Sequence, residues 1–154
     1  MPTYRSIQME VRATPPSSQR KPGYSLLSYM WVPDGDDPYT GEYPIVLDQN
    51  DYFSFFLHDY TKELASPQLK VVFEPFPGGS TASPFDAQVT AFLRTGVPAA
   101  TENQGPDYNS FAYGPYPLVN TGVEFEFSLE IDDNSRPPHR YYVDPQMIVE
   151  GSGG

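Results

Sequence analysis

The chain of 154 residues contains no cysteine, only two histidines and no long hydrophobic run. The lack of cysteine excludes disulfides, thiolate metal ligands and cysteine nucleophiles within it. No stretch approaches the roughly 20 apolar residues that a membrane-spanning helix needs. The first residues also lack the apolar core of a secretory signal. These absences fit a cytoplasmic protein or an already mature one.

Basic residues are also scarce, since nine Lys and Arg stand against 20 Asp and Glu for a net charge of −11. A surface of this sign repels nucleic-acid backbones and anionic membranes, so neither is expected as a partner. No motif of a serine hydrolase, zinc protease or nucleotide-binding enzyme occurs. His58 and Asp59 are adjacent, and neighbours on a strand point to opposite faces. We therefore predict that the protein is not an enzyme.

Turn-forming and aromatic residues are abundant, with 18 Pro, 12 Gly, 12 Tyr and 10 Phe. Proline opposes long helices, because it lacks an amide donor and clashes with the preceding turn. Tyrosine and phenylalanine favour pleated, half-buried surfaces. The length suits one domain. We expect a single β-domain over residues 1–150 and a flexible Gly/Ser tail over 151–154.

The clearest pattern is in residues 123–131, where every odd position is apolar. A period of two places these side chains on one face of a strand and the glutamates on the other, which we expect to face water. Residues 87–93 fit either a strand or two helical turns. Further strands are predicted at residues 4–11, 24–32, 45–47, 52–58, 69–73 and 140–149, the last forming a hairpin with 123–131.

About seven or eight mostly antiparallel strands predict an all-β, immunoglobulin-like sandwich of two sheets. A jelly roll or a closed barrel is the alternative. Residues 14–23 are predicted to be a polar loop that does not pack. Residues 96–117, rich in Gly, Pro, Asn and Tyr, are predicted to form a long loop. A loop of that length usually has a function or covers a sheet edge.

The first candidate site is the aromatic part of this loop, residues 105–117. It contains four rings, those of Tyr108, Phe111, Tyr113 and Tyr116. Tyrosine combines a large contact area with a hydroxyl that forms hydrogen bonds, which suits a glycan or a protein ligand. In the alternative interpretation the rings fold back over the end of the sandwich, because so many exposed rings would cause aggregation.

The second candidate site is an acidic loop that contains Asp34, Asp36 and Asp37. Calcium takes roughly six to eight oxygen ligands, so these carboxylates are candidate calcium ligands. The spacing does not match an EF-hand. The alternative is a solvated turn of an acidic protein.

The C-terminal third resembles a known family. A Thr-Gly pair at 121–122 precedes the alternating strand, and a polar turn leads to a closing strand with the sequence Tyr141-Tyr142-Val143-Asp144-Pro145-Gln146-Met147-Ile148-Val149. This ending is similar to that of the PixA/AidA-type bacterial inclusion-body proteins. The resemblance implies a cytoplasmic bacterial protein that accumulates as ordered inclusions, without catalytic residues.

Two functions follow from these observations. The resemblance and the small number of lysines, among them Lys62 and Lys70, predict a structural protein that forms homo-dimers or larger assemblies. Ordering a lysine at an interface costs side-chain entropy, so few lysines favour assembly. The alternative is a carbohydrate- or protein-binding module that uses the loop 105–117, with possible help from calcium.

Overall fold

The computed structural model describes residues 4–13, 17, 21–32, 45–47, 51–74, 83–119, 124–133 and 139–151. Two mixed β-sheets pack together, and the described residues form no closed barrel. The predicted all-β sandwich is therefore confirmed. The tail predicted at 151–154 lies outside the described residues except for Gly151, which ends the last strand.

Each predicted strand has a counterpart among the described ones. In chain order the elements are β1 (Tyr4–Val11), β2 (Ser25–Leu26), β3 (Ser28–Val32), β4 (Ile45–Leu47), β5 (Tyr52–Asp59), β6 (Gln68–Glu74), α1 (Ala87–Thr95), β7 (Val97–Pro98), β8 (Thr101–Gln104), β9 (Asn109–Pro117), β10 (Glu124–Asp133) and β11 (His139–Gly151). The strand predicted at 24–32 is divided into β2 and β3. The predicted hairpin is formed by β10 and β11.

Sheet 1 has the strand order β3-β1-β5-β9-β8, and sheet 2 has the order β2-β11-β10-β6-β7, with β4 also paired to β11. Most pairs are antiparallel. The exceptions are β1 with β5 and β11 with both β2 and β4, which are parallel. The parallel pair β1–β5 lies inside sheet 1 and aligns Glu10 with His58.

The core lies between the sheets and follows the period of two along each strand. Sheet 1 contributes the odd-numbered residues 7–11 of β1, 53–57 of β5 and 111–113 of β9, and sheet 2 contributes 69–73 of β6 and 127–131 of β10. Phe85 lies before α1 and contacts the rings of Phe53, Phe73 and Tyr116. Each such fully buried side chain stabilises the fold by about 1.5–3 kcal/mol relative to an exposed one. The even-numbered residues of β1 and β5 remain on the outer face of sheet 1.

Residues 87–95 form a helix, which resolves the open choice between strand and helix. Asp86 caps its N-terminus, because its carboxylate accepts a hydrogen bond from the Val89 amide at 2.7 Å. Gly96 follows the last turn with φ of 98°, a conformation that glycine adopts without strain. Leu93 anchors the helix to the core. Within the described part of the chain, no helix is long and apolar enough to cross a membrane.

The prediction of one long loop over 96–117 is wrong, because this segment forms β7, β8 and β9. Its glycines and prolines occupy special positions within the sheet. Gly114 has φ of 99° and lies where the pairing of β9 with β5 shifts register, between Phe53 and Phe55. A bulge accommodates residues that a regular strand excludes.

Candidate functional site

The four predicted rings do not form one exposed group. Phe111 and Tyr113 are buried in the core, and the Tyr113 hydroxyl donates a hydrogen bond of 2.7 Å to the Pro67 carbonyl. Tyr116 is half-buried and packs against the core. Tyr108 is the exception, because it lies in the turn before β9 and contacts the outer face of sheet 1. The prediction of an exposed aromatic loop is therefore wrong for Phe111 and Tyr113, which are core residues of β9.

Asp34, Asp36 and Asp37 lie outside the described residues. The structure therefore does not place the predicted calcium ligands. Among the residues that it does describe, no group of three or more His, Cys, Asp or Glu side chains could hold a metal ion.

A cluster of six polar and aromatic side chains lies on the outer face of sheet 1. We call it the outer-face site, and it consists of Gln8, Glu10, Arg12, His58, Tyr60 and Tyr108. The period of two along β1 and β5 directs the side chains of Gln8, Glu10 and His58 away from the core. The Tyr60 amide donates to the Val11 carbonyl at 3.0 Å, so the pairing of β1 with β5 continues one residue past the end of β5.

Tyr108 reaches this cluster from the turn that joins β8 to β9. The Gly105 amide donates to the Tyr108 carbonyl at 2.9 Å, and Gln104 pairs with Asn109. A Cβ at position 105 would lie 2.9 Å from that same carbonyl oxygen, so the tight turn requires glycine. Lys62 donates to the Pro106 carbonyl at 3.2 Å. This bond ties the segment after β5 to the turn and holds Tyr60 beside Tyr108.

The side chains of the outer-face site contact one another in a continuous series from Glu10 to Gln8. The Arg12 guanidinium lies 3.7 Å from the centre of the Tyr60 ring. The Tyr60 and Tyr108 rings are 5.0 Å apart at 44°, and the Tyr108 and His58 rings are 5.0 Å apart at 84°. Glu10 bonds Arg12 at 2.8 Å at one end of the series, and Gln8 bonds His58 at the other end. The rings are therefore held in place before any ligand arrives.

The charges of the site follow from these contacts. The hydrogen bond that Arg12 donates to Glu10 raises the pKa of Arg12, which stays a cation. Burial lowers the pKa of His58, so its imidazole is neutral near pH 7. The Gln8 amide nitrogen lies 3.4 Å from the Ser6 hydroxyl, which turns the amide oxygen toward Nε2 of His58. Nε2 of His58 thus faces the Gln8 amide, and its buried Nδ1 has no hydrogen-bond partner among the described residues.

This arrangement presents groups that can bind a ligand. The aromatic rings provide apolar faces, and Arg12, Glu10 and Gln8 provide donors and acceptors beside them. The site offers no nucleophile held next to a base. Nε2 of His58 is hydrogen-bonded to the Gln8 amide, and Glu10 is already paired with Arg12.

Comparison of the chain with protein-family models gives no match, and comparison with curated proteins finds no relative. The resemblance to the PixA/AidA-type proteins therefore stays a prediction. Function has to be inferred from the geometry of the chain itself.

The sequence contained part of the signal for this site. Gln8, Glu10 and Arg12 alternate with the apolar residues 7, 9 and 11, so their common outward face was predictable. The parallel pairing of β1 with β5 was not, because the two strands are separated by some 40 residues and their pairing leaves no local pattern. Tyr60 was missed for the same reason.

Proposed function

We propose that this protein is a non-enzymatic binding module whose outer-face site holds a neutral carbohydrate. The observation that carries the proposal is the row Arg12–Tyr60–Tyr108, in which a cation and two rings lie in fixed contact on the face of a sheet. This is the carbohydrate-binding function expected from the aromatic residues, moved from the loop to the sheet. Tyr108 is the one predicted residue that takes part.

Sugar chemistry matches the groups present. A pyranose ring has an apolar face of C–H groups, which packs on an aromatic ring, and a rim of hydroxyls, which both donate and accept hydrogen bonds. Arg12 donates, Glu10 accepts, and the Gln8 amide does both. The net charge of −11 repels anionic ligands, and this favours a neutral glycan over a sulfated or sialylated one.

Removing the two tyrosines is expected to weaken glycan binding without unfolding the domain. The glycan for this test is the neutral one that the wild-type protein binds best on an array. Tyr60→Ala combined with Tyr108→Ala should weaken the affinity for this glycan by about tenfold or more, which corresponds to about 1.4 kcal/mol. The loss follows because both rings belong to the contact row. Affinity is then measured by isothermal titration calorimetry with the best oligosaccharide.

Tyr4→Ala is the matched control. Tyr4 is also on the outer face of sheet 1, stacked on Tyr52 at 5.2 Å, but it lies at the far end of β1 from the site. It should leave affinity unchanged. Failure of the folded wild-type protein to bind any neutral glycan, or equal losses in both variants, would contradict the proposal.

Self-assembly is the second candidate function. Its supporting observation is Tyr4, which is 57% exposed and stacked on Tyr52. Two neighbouring rings on the outer face of sheet 1 provide an apolar patch of the kind that a second copy covers. The scarcity of lysine and the PixA/AidA resemblance support the same function.

Light scattering after size exclusion tests this candidate over a hundredfold range of protein concentration. Self-assembly predicts a dimer or larger species whose dissociation is promoted by Tyr4→Ser. The matched control is Phe92→Ser, which changes an equally exposed ring on α1. A monomer at every concentration argues against assembly and leaves carbohydrate binding as the sole proposal.

A further inference from the structure

A tight turn packs onto the outer face of sheet 2. Residues 21–24 have the sequence Lys-Pro-Gly-Tyr, and the Tyr24 amide donates to the Lys21 carbonyl at 3.1 Å. Proline at the second position and Gly23 with φ of 89° at the third are typical of a type II turn. The turn leads directly into β2, which pairs with β11 beside Tyr142. Part of the polar loop predicted at 14–23 is therefore packed against the sheet.

This turn buries a carboxylate that the sequence pattern assigned to solvent. Glu130 lies on the outer face of β10, opposite Tyr142 in register, yet only 5% of its surface is exposed. Lys21 forms an ion pair with it. The alternation in β10 predicted which face Glu130 occupies, but not that a turn more than 100 residues earlier covers that face.

Two aromatic rings complete the surroundings of the Lys21 ammonium. Its Nζ lies 4.6 Å from the centre of the Tyr24 ring and 5.5 Å from that of Tyr142. The two rings are 6.5 Å apart and inclined at 74°, so they form two walls of a corner. Aromatic faces attract cations, and two ring faces with a carboxylate are the elements of an ammonium-binding cage.

Other charges nearby make Lys21 an imperfect occupant. Its pKa is lowered, first by burial and then by the charge of Lys70, although the charge of Asp132 acts in the opposite direction. Arg140 lies 5.9 Å from the Tyr24 ring and pairs with Asp132 at 3.7 Å, and its charge lowers the Lys21 pKa further. Lys21 is still 33% exposed along its side chain. The ammonium is thus held by the cage, while burial and the charges of Lys70 and Arg140 oppose its positive charge.

We propose that Tyr24, Tyr142 and Glu130 form a binding site for an alkylammonium ligand, which Lys21 of the same chain occupies until it is displaced. The ligand enters from the exposed side of Lys21. The ammonium group of the ligand then replaces that of Lys21 and contacts the same two rings and carboxylate. This site is on the sheet opposite to the outer-face site and is independent of carbohydrate binding.

The direct test is to remove the occupant. Lys21→Ala should bind tetramethylammonium or n-butylammonium chloride with a millimolar dissociation constant, followed by NMR shifts against sodium chloride at equal ionic strength. Wild-type protein should bind about tenfold more weakly, because Lys21 competes for the cage. Lys62→Ala is the matched control. Lys62 bonds the Pro106 carbonyl at the other sheet, so its removal should create no such site.

Two further variants test whether the ligand contacts the proposed ring and carboxylate. Adding Tyr24→Leu or Glu130→Gln to Lys21→Ala should remove most of the gained affinity, since each takes away one wall or the carboxylate. A folded Lys21→Ala protein that binds neither cation would overturn the proposal, as would binding that Tyr24→Leu leaves unchanged.

A measurement on the wild-type chain covers the case in which Lys21→Ala does not fold. Tetramethylammonium has no N–H and does not react with acylating reagents, so lysine acylation can be followed in its presence by mass spectrometry. Displacement predicts that saturating tetramethylammonium accelerates acylation of Lys21 and leaves Lys62 unaffected. An unchanged Lys21 rate would overturn the proposal.

Discussion

Asp59→Ala is expected to lower the free energy of unfolding by about 3 kcal/mol, the upper part of the range for a buried hydrogen-bonding carboxylate. The side chain is 0% exposed. It accepts hydrogen bonds from the Thr61 amide at 2.9 Å, the Thr61 hydroxyl at 2.5 Å and the Leu64 amide at 2.8 Å. Alanine would leave these donors buried without an acceptor. Urea unfolding followed by tyrosine and tryptophan fluorescence measures the change.

The same substitution should also disturb the position of Tyr60 in the outer-face site. Residues 60–67 connect sheet 1 to sheet 2, and Asp59 fixes the beginning of this connection next to Tyr60. Asp107→Ala is the control, because Asp107 is exposed in the turn before β9 and should change stability by less than about 0.5 kcal/mol. Asp59→Asn keeps an acceptor oxygen and should lose less than alanine. A loss below about 1 kcal/mol for Asp59→Ala would contradict this account of the connection.

Stability is expected to fall steeply as the pH rises above about 10, the usual tyrosine pKa. Burial raises the pKa of Tyr113, Tyr116 and Tyr141 in the folded protein, with nearby carboxylates adding to the effect at Tyr113 and Tyr141. A raised pKa means that the folded protein keeps a proton that the unfolded chain releases. Its stabilising contribution is complete below the unfolded pKa and is lost as the pH rises toward the folded pKa.

Tyr113 should contribute most to this loss. While it stays protonated in the fold, it removes about 1.4 kcal/mol of stability for each pH unit above the unfolded value. Tyr113→Phe tests the assignment. It should cost about 1–2 kcal/mol near pH 7, because the Pro67 carbonyl loses its donor, and it should lower the slope above pH 10 by about 1.4 kcal/mol per unit. Equal slopes in the two proteins, from urea unfolding at several pH values, would contradict it.

The strands were predictable because their alternation is a local property of the chain. β1 and β4 begin and end at the predicted residues, and β10 lies within two residues of its prediction. Residues 87–93 contain too few positions to distinguish a period of 2 from one of 3.6. The Asp86 cap and Gly96 terminus were the signals that favoured a helix.

The prediction failed where a segment rich in glycine and proline nevertheless forms a strand. Residues 109–117 contain one glycine and two prolines, so the segment was predicted as a loop, although a bulge at Gly114 lets it remain a strand. The odd-numbered residues before the bulge enter the core, which explains why Phe111 and Tyr113 are not at a surface. Tyr108 was identified, but its companions Arg12 and Tyr60 come from the ends of two other strands. Only the pairing of β1 with β5 brings them together.

The most direct test of the outer-face site is to map a bound neutral oligosaccharide by NMR on the isotopically labelled protein. Our account predicts shift changes at the amides and side chains of Glu10, Arg12, His58, Tyr60 and Tyr108, with none at Lys21, Tyr24 or Tyr142 on the opposite sheet. Shift changes centred elsewhere, or none with any neutral glycan at millimolar concentration, would contradict it.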